Sequence, residues 1–224
     1  MNGRIVSIEH QVGLAGPGFR SVITLGGCPM TCARCPYEAV KAGNAREMTA
    51  EECAYTLFPY AATLFRGGVT LAGGIWEQPA FALSLLSLLK ERGFHTALLT
   101  NGFYREGEED GVERILRKTD VVICDIKAVT EEGYAALGGS LARVLAFLTF
   151  AEAEGAEIWL RMMIVPGEND REETVLRLRR MTAHLTRLEK IELIPYRSAL
   201  FPNGTDPAED CPDEVIERLQ NLVI

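Results

Sequence analysis

Six short apolar runs, each followed by a longer amphipathic stretch, constrain this chain more than any other feature. The runs are Ser21–Leu25, Gly68–Leu71, His95–Thr100, Val121–Asp125, Ile158–Val165 and Lys190–Ile194. Few polar residues interrupt them, which is the pattern of parallel strands covered on both faces. Between them lie the helical stretches Ala50–Phe65, Ala80–Arg92, Gly111–Lys118, Leu141–Glu154 and Arg171–Leu185, and Asp213–Val223 closes the chain. Thr49 and Glu52 make a capping box for the first stretch. Asp170 reads as the cap of the fifth, and Pro212 as a first-turn proline of the last. Repeated βα units predict an α/β fold with a parallel sheet, either an incomplete barrel or an open doubly wound sheet. The segment before Arg20 reads as a strand and loop leading into the first barrel strand. Residues 1–224 read as a single domain.

Composition narrows the function. At 224 residues and 47% hydrophobic, the chain has material for a full core. Lysine plus arginine number 23 against 31 acids, so the formal charge is 23 − 31 = −8. An acidic surface argues against broad nucleic-acid binding. No apolar run approaches the ~20 residues of a membrane-spanning helix, and the opening residues lack the apolar stretch of a signal peptide. A cytosolic, cytoplasmic location without membrane attachment is the expectation.

In parallel α/β folds, chemistry gathers at the C-terminal ends of the strands. Here those ends lead to Gly26-Gly27-Cys28, Gly73-Gly74, Thr100-Asn101-Gly102, Asp125-Ile126-Lys127, Val165-Pro166-Gly167 and Pro195-Tyr196-Arg197. The first is the most informative. Cys28, Cys32 and Cys35 form a C-x₃-C-x₂-C arrangement. Four residues stretch at most ~14 Å, so the loop can curl and deliver three thiolates to one polynuclear iron–sulfur centre. Three cysteines on a four-iron cube leave one iron open to a small molecule. The alternative is a closed zinc site with Cys53 as fourth ligand, although Cys53 falls in an amphipathic helix where a core role is expected. Cys124 reads as a small buried hydrophobe between strand and helix, and Cys211 as a cap of the last helix.

Asp125 and Lys127 are two apart on an extended segment and so face one side. Such a pair at a strand mouth is costly unless it is paired or ligand-bound, and a structural ion pair remains the alternative. Arg161, mid-strand among Trp159, Met162 and Met163, needs an anionic partner: a ligand carboxylate or a neighbouring acid. Gly73 and Gly74 allow either a tight turn or close approach of a ligand to the backbone, and Thr100-Asn101 reads the same way. None of the three histidines sits at a strand end beside a carboxylate, so ordinary acid–base catalysis has little support.

Together these segments resemble the radical S-adenosylmethionine (SAM) superfamily, and within it the activating enzymes of glycyl radical enzymes. The matching stretches are Gly26–Cys35, Gly67–Gly74, Thr100–Phe103, Asp125–Lys127, Trp159–Gly167 and Lys190–Tyr196, in order across most of residues 18–200. The resemblance implies a partial (β/α)₆ TIM-like barrel with parallel strands. It implies a 4Fe–4S cluster on Cys28, Cys32 and Cys35, with SAM chelating the open iron. Reductive cleavage of SAM would release a 5′-deoxyadenosyl radical that removes a hydrogen atom from a glycine of a partner glycyl radical enzyme. A flavodoxin or ferredoxin-type protein would supply the electron. In this reading Asp125 and Lys127 are catalytic, beside SAM and the substrate peptide. Arg34, Gly73, Gly74, Glu77, Thr100, Asn101, Arg161 and Arg197 line the cofactor.

The sequence departs from the family pattern at four places. Arg34 replaces an aromatic residue that touches adenine, and a guanidinium plane can also stack on a base. Ile75 follows the glycine pair where the family has Glu, and Glu77, two residues on, is the candidate substitute. Leu99 replaces an acid that helps hold a monovalent cation, and Arg197 replaces a His. Competing readings are an activator of anaerobic ribonucleotide reductase, a peptide modifier, and a cluster- and SAM-binding protein without the standard cleavage.

Overall fold

The computed structural model describes residues 1–12, 15–32, 34–35, 45–201 and 208–223. Strand β1 (Asn2–Val12) runs antiparallel to β2 (Phe19–Leu25) on one side and to β3 (Arg46–Thr49) on the other. Strands β4 (Gly68–Gly73), β5 (Thr96–Thr100), β6 (Val121–Asp125), β7 (Glu157–Ile164) and β8 (Leu188–Pro195) then add in parallel to β2. The order is β3-β1-β2-β4-β5-β6-β7-β8. β2 and β8 are not neighbours in it, so the six-stranded parallel part is a barrel that does not close.

Helices α1 (Ala50–Tyr55), α2 (Ala61–Leu64), α3 (Pro79–Glu91), α4 (Glu109–Leu116), α5 (Glu131–Ala135), α6 (Leu141–Ala153), α7 (Glu172–Thr182) and α8 (Asp213–Gln220) complete the chain. Strand side chains divide by alternation. Ile23, Leu25, Leu71, Leu98, Val122, Leu160 and Ile164 join Leu85, Leu89, Val144, Phe147 and Val175 from the helices in one large core. The opposite face carries a smaller cluster of Ala15, Val22, Ala72, Ala97, Leu99, Val121 and Ile123. The six parallel strands follow one another in chain order, without the reversal of a doubly wound sheet, so the fold is the incomplete barrel and the smaller cluster lies on its concave face.

Local differences from the sequence reading have physical causes. The stretch Ala50–Phe65 is not one helix: α1 ends at Tyr55, a 3₁₀ turn covers Phe58–Tyr60, and α2 is a single turn. Pro59 has no amide hydrogen and its ring clashes with the preceding turn. The capping box is present, with Glu52 N–H donating to Thr49 Oγ1 (3.1 Å) and Thr49 N–H to Glu52 Oε2 (2.7 Å). Asp170 does not cap α7, whose cap position is Arg171. Asn169 closes the preceding turn instead, accepting from Val165 N–H (2.7 Å) and donating to the Met163 carbonyl (2.9 Å), which delays the helix by one residue. Pro212 stands at the cap position of α8, just outside its first turn.

At the N-terminal end of the strands, Arg20 is 1% exposed. Its guanidinium donates to Thr70 Oγ1 (2.7 Å), to the carbonyls of Gly67 (3.0 Å) and Val69 (2.9 Å), and to His95 Nδ1 (3.2 Å). Burial lowers its pKa to about 10, so it stays charged. This floor leaves the opposite end for chemistry.

Candidate active site

The loop after β2 carries the three cysteines, all half-buried free thiols. It is held from below. Met30 is buried against Gly139, and Thr31 N–H donates to the Leu137 carbonyl at 2.9 Å. Asn101, just past β5, points its side-chain amide at Cys28 Sγ (3.6 Å), while its carbonyl oxygen accepts from Phe103 N–H (3.0 Å). An N–H aimed at sulfur is the contact an anionic cluster ligand takes.

Asp125 and Arg161 face each other across β6 and β7, with Arg161 Nε 2.8 Å from Asp125 Oδ1. Lys127 Nζ reaches the other oxygen at 3.4 Å. Burial pushes the Asp125 carboxyl up, but Lys127 and Arg161 outweigh it and hold it below the usual carboxylate range. Burial works against the Lys127 ammonium, yet Asp125 together with the Cys32 and Cys35 sulfurs holds its pKa above the ordinary value. The Lys127 ammonium, two residues past the end of β6, and the Cys32 and Cys35 sulfurs therefore share one field. Lys127 N–H donates to the hydroxyl of the buried Tyr134 (3.1 Å), which fixes the strand exit.

Gly73 and Gly74 end β4 against the cysteine loop. A Cβ on Gly73, at φ +75°, would sit 2.4 Å from the Leu25 carbonyl, and one on Gly74 would sit 2.2 Å from that of Gly26. Close packing of β2 on β4 alone demands both glycines. Thr100 turns toward the helices, its hydroxyl accepting from Trp76 Nε1 (2.8 Å) and Gly102 N–H (3.1 Å). Leu99 faces the concave side. Glu77 lies over Gly27 with Arg105 Nη2 at 2.9 Å. Arg34 pairs with Glu168 Oε2 (2.6 Å), and its guanidinium lies 5.7 Å from the centre of the Tyr196 ring. Arg197 is engaged elsewhere, by the Cys211 carbonyl and the Asp213 carboxylate at the start of α8.

The remaining cysteines belong to the core. Cys53, Cys124 and Cys211 are fully buried. Burial pushes the Cys53 thiol up to about 11, the wrong direction for a zinc ligand, which must be a thiolate. Among the described residues, no three His, Cys, Asp or Glu side chains converge on a point that would hold a single metal ion. Sequence reasoning missed Glu168, Arg105, Met30, Thr31 and Gln78. Gln78 ties both backbone groups of Arg4 and the Gly26 carbonyl together beside the cysteine loop (2.7–3.2 Å).

A partial barrel with three cysteines in its first βα loop and an Asp–Arg–Lys cluster at its mouth defines a class, and comparison with known proteins identifies it. Residues 22–179 match the Radical SAM superfamily. The chain belongs to that superfamily, whose members use a 4Fe–4S cluster and SAM, and it is an enzyme of the glycyl radical enzyme activase type. It is 38% identical over 203 residues to the pyruvate formate-lyase-activating enzyme of Clostridium pasteurianum, covering 88% of this chain and 83% of the relative. It is 33% identical to pyruvate formate-lyase 1-activating enzyme of Escherichia coli K12, covering 87% and 80%. Among solved structures, a radical SAM methyltransferase from Sphaerobacter thermophilus matches 92% of this chain and 63% of its own at a TM-score of 0.66 and 16% identity. A domain of a Bacteroides vulgatus pyruvate-formate lyase-activating enzyme matches 70% and 92% at 0.57 and 23%. At those identities the structures speak to the fold. Among the described residues no helix is long and apolar enough to cross a membrane.

Proposed function

We propose that this chain holds a 4Fe–4S cluster on Cys28, Cys32 and Cys35, cleaves SAM reductively, and activates a partner glycyl radical enzyme by removing a hydrogen atom from a backbone glycine. The observation that carries the reading is a loop of three half-buried free thiols with the Asn101 amide aimed at Cys28 Sγ, at the same end of the strands as the Asp125–Arg161–Lys127 cluster. Free, half-buried thiols with an amide directed at one sulfur and an ammonium nearby suit a polynuclear iron–sulfur centre. When bound, the reduced cluster supplies one electron to a carbon–sulfur bond of SAM, giving methionine and a 5′-deoxyadenosyl radical. The protein's part is to position and to exclude water.

Asp125 fixes the Arg161 and Lys127 cations at the mouth, where they would hold the carboxylate of SAM. Glu77 would receive its amino group in place of the family's Glu, and the backbone of Gly73, Gly74 and Thr100 would bound the methionine end. Arg34, oriented by Glu168, would stack on the adenine, and Asn101 would orient Cys28. Arg197 would have to leave Asp213 to take part. A flavodoxin or ferredoxin-type protein is the proposed donor, and a cytoplasmic setting follows from that partner set.

The test is anaerobic reconstitution. The protein should be brown with about four irons per chain, and SAM with dithionite should yield 5′-deoxyadenosine. Adding a candidate glycyl radical enzyme should then give a glycyl signal in electron paramagnetic resonance. A colourless protein with one zinc overturns the reading. A full cluster without 5′-deoxyadenosine favours the binding protein that the exchanges at Arg34, Ile75, Leu99 and Arg197 suggest.

A further inference from the structure

The loop between β5 and α4 meets the cofactor site twice. Asn101 contacts the Cys28 sulfur, and Arg105 sits 2.9 Å from Glu77 Oε1. Between them Tyr104 is buried at 3% exposure, edge-on to Trp76, with its carbonyl held by Arg143 Nη1 at 3.0 Å. The loop therefore has a fixed footing. Arg105 is nevertheless 61% exposed, whereas Glu77 is 18% exposed and closes over Gly27, the residue before Cys28.

Glu77 Oε1 itself is fully covered and in ionic contact with Arg105, yet it accepts no hydrogen bond. A covered carboxylate oxygen without an aligned donor is under-satisfied, and N–H groups brought by a ligand would complete it. No other acid is available in this turn, because the position after the glycine pair is the buried Ile75.

We propose that Arg105 is a further residue of the SAM site, a positioning residue that occupies Glu77 until the amino group of SAM displaces it. The proposal rests on the reading that this chain binds SAM, and it deepens that reading. Because the arginine is mostly in water, its pairing with Glu77 is weak. It neutralises the carboxylate without closing the site, and on displacement it only swings further into solvent. The ion pair thus sets the affinity for the methionine end and leaves the adenosine end untouched.

The experiment uses cluster-loaded protein without reductant, so that no turnover occurs. Affinities for SAM and for 5′-methylthioadenosine, which lacks the amino and carboxylate groups of the methionine end, are measured by anaerobic calorimetry. Arg105→Ala, at an exposed position, should keep its iron. It should bind SAM about two- to fivefold more tightly, the competition expected of a mostly exposed ion pair, with 5′-methylthioadenosine unchanged. Glu77→Gln should weaken SAM binding, and Arg105→Ala added to it should change nothing further. Wild-type protein that holds iron but binds no SAM overturns the underlying reading and this proposal with it. Wild-type binding with SAM affinity unchanged or weakened in Arg105→Ala overturns the role of Arg105 alone. So does an equal change for both ligands, or an effect that persists without Glu77.

Discussion

Asp125 and Arg161 are register partners on adjacent parallel strands, and the arginine Nε donates to the carboxylate across 2.8 Å. Arg161 is 9% exposed and Asp125 19%, so the pair sits at the boundary between barrel interior and mouth. Lys127 adds a second cation to the same carboxylate. The Asp125 carboxylate thus touches two cations, and removing its charge weakens the pairing of both.

Asp125→Asn should accordingly destabilise the metal-free protein by about 2 kcal/mol, because it takes the negative charge out of a largely buried ion pair. The pH dependence has a definite sign. The folded carboxyl titrates below its unfolded value, so its contribution is present above the unfolded pKa, near 4, and is lost as pH falls through the lower folded value. Urea melts from pH 7 to pH 3 should show part of the acid-side loss missing in Asp125→Asn. Equal stability of the two proteins at pH 7 would contradict the pairing argument.

At the other end of the barrel, His95 makes a separate pH prediction. Arg20 has no acceptor atom, so the 3.2 Å contact requires an unprotonated His95 Nδ1. Burial, then the Arg20 charge, lowers the His95 pKa. Below the unfolded value near 6.5 the unfolded chain binds a proton that the folded one refuses, so stability should fall as pH drops from that point. Above it the contribution is constant. His95→Gln should flatten the stability profile between about pH 6.5 and pH 5, as read by thermal melts. An unchanged slope would place the titration elsewhere.

How much of this was legible in the sequence depended on the range of the interaction. Strand runs and their ends are local patterns, so the Asp125–Lys127 and C-x₃-C-x₂-C segments could be read directly. Strand β3 could not, because of its four residues only Met48 is buried. The break at Phe58–Tyr60 was written in Pro59, and the apolar periodicity across it masked the signal. Arg34 meets Glu168 at a separation of 134 residues, and Thr31 meets Leu137 at 106. No periodicity reports loop contacts of that kind. Likewise the sequence asked for an anionic partner for Arg161, a ligand carboxylate or a neighbouring acid, and the strand register supplies Asp125.

The cysteines can be sorted by metal content. Cys28→Ala, Cys32→Ala and Cys35→Ala should each abolish or sharply reduce iron after reconstitution if these three thiolates hold the centre, as proposed. Cys53→Ala should retain iron and lose about 1 kcal/mol of stability, the cost of a small cavity in a packed core. Loss of metal in Cys53→Ala with retention of zinc by the wild type would revive the closed tetrahedral site.

Arg34 offers a case where stability and binding should separate. Its pair with Glu168 is 23% and 54% exposed, so breaking it with Glu168→Gln or Arg34→Ala should cost less than about 1 kcal/mol of folding stability. If the guanidinium stacks on adenine, Arg34→Ala should nevertheless weaken SAM binding by about three- to tenfold, the size of a cation–π or planar stacking contact. Arg34→Tyr restores an aromatic face and should recover most of that loss. Glu168→Gln should show a smaller loss, because it only releases the orientation of Arg34. The measurement is SAM affinity at equal iron content. A loss in Arg34→Ala that Arg34→Tyr fails to recover would mean that the charge, and not the plane, is what SAM meets at this position.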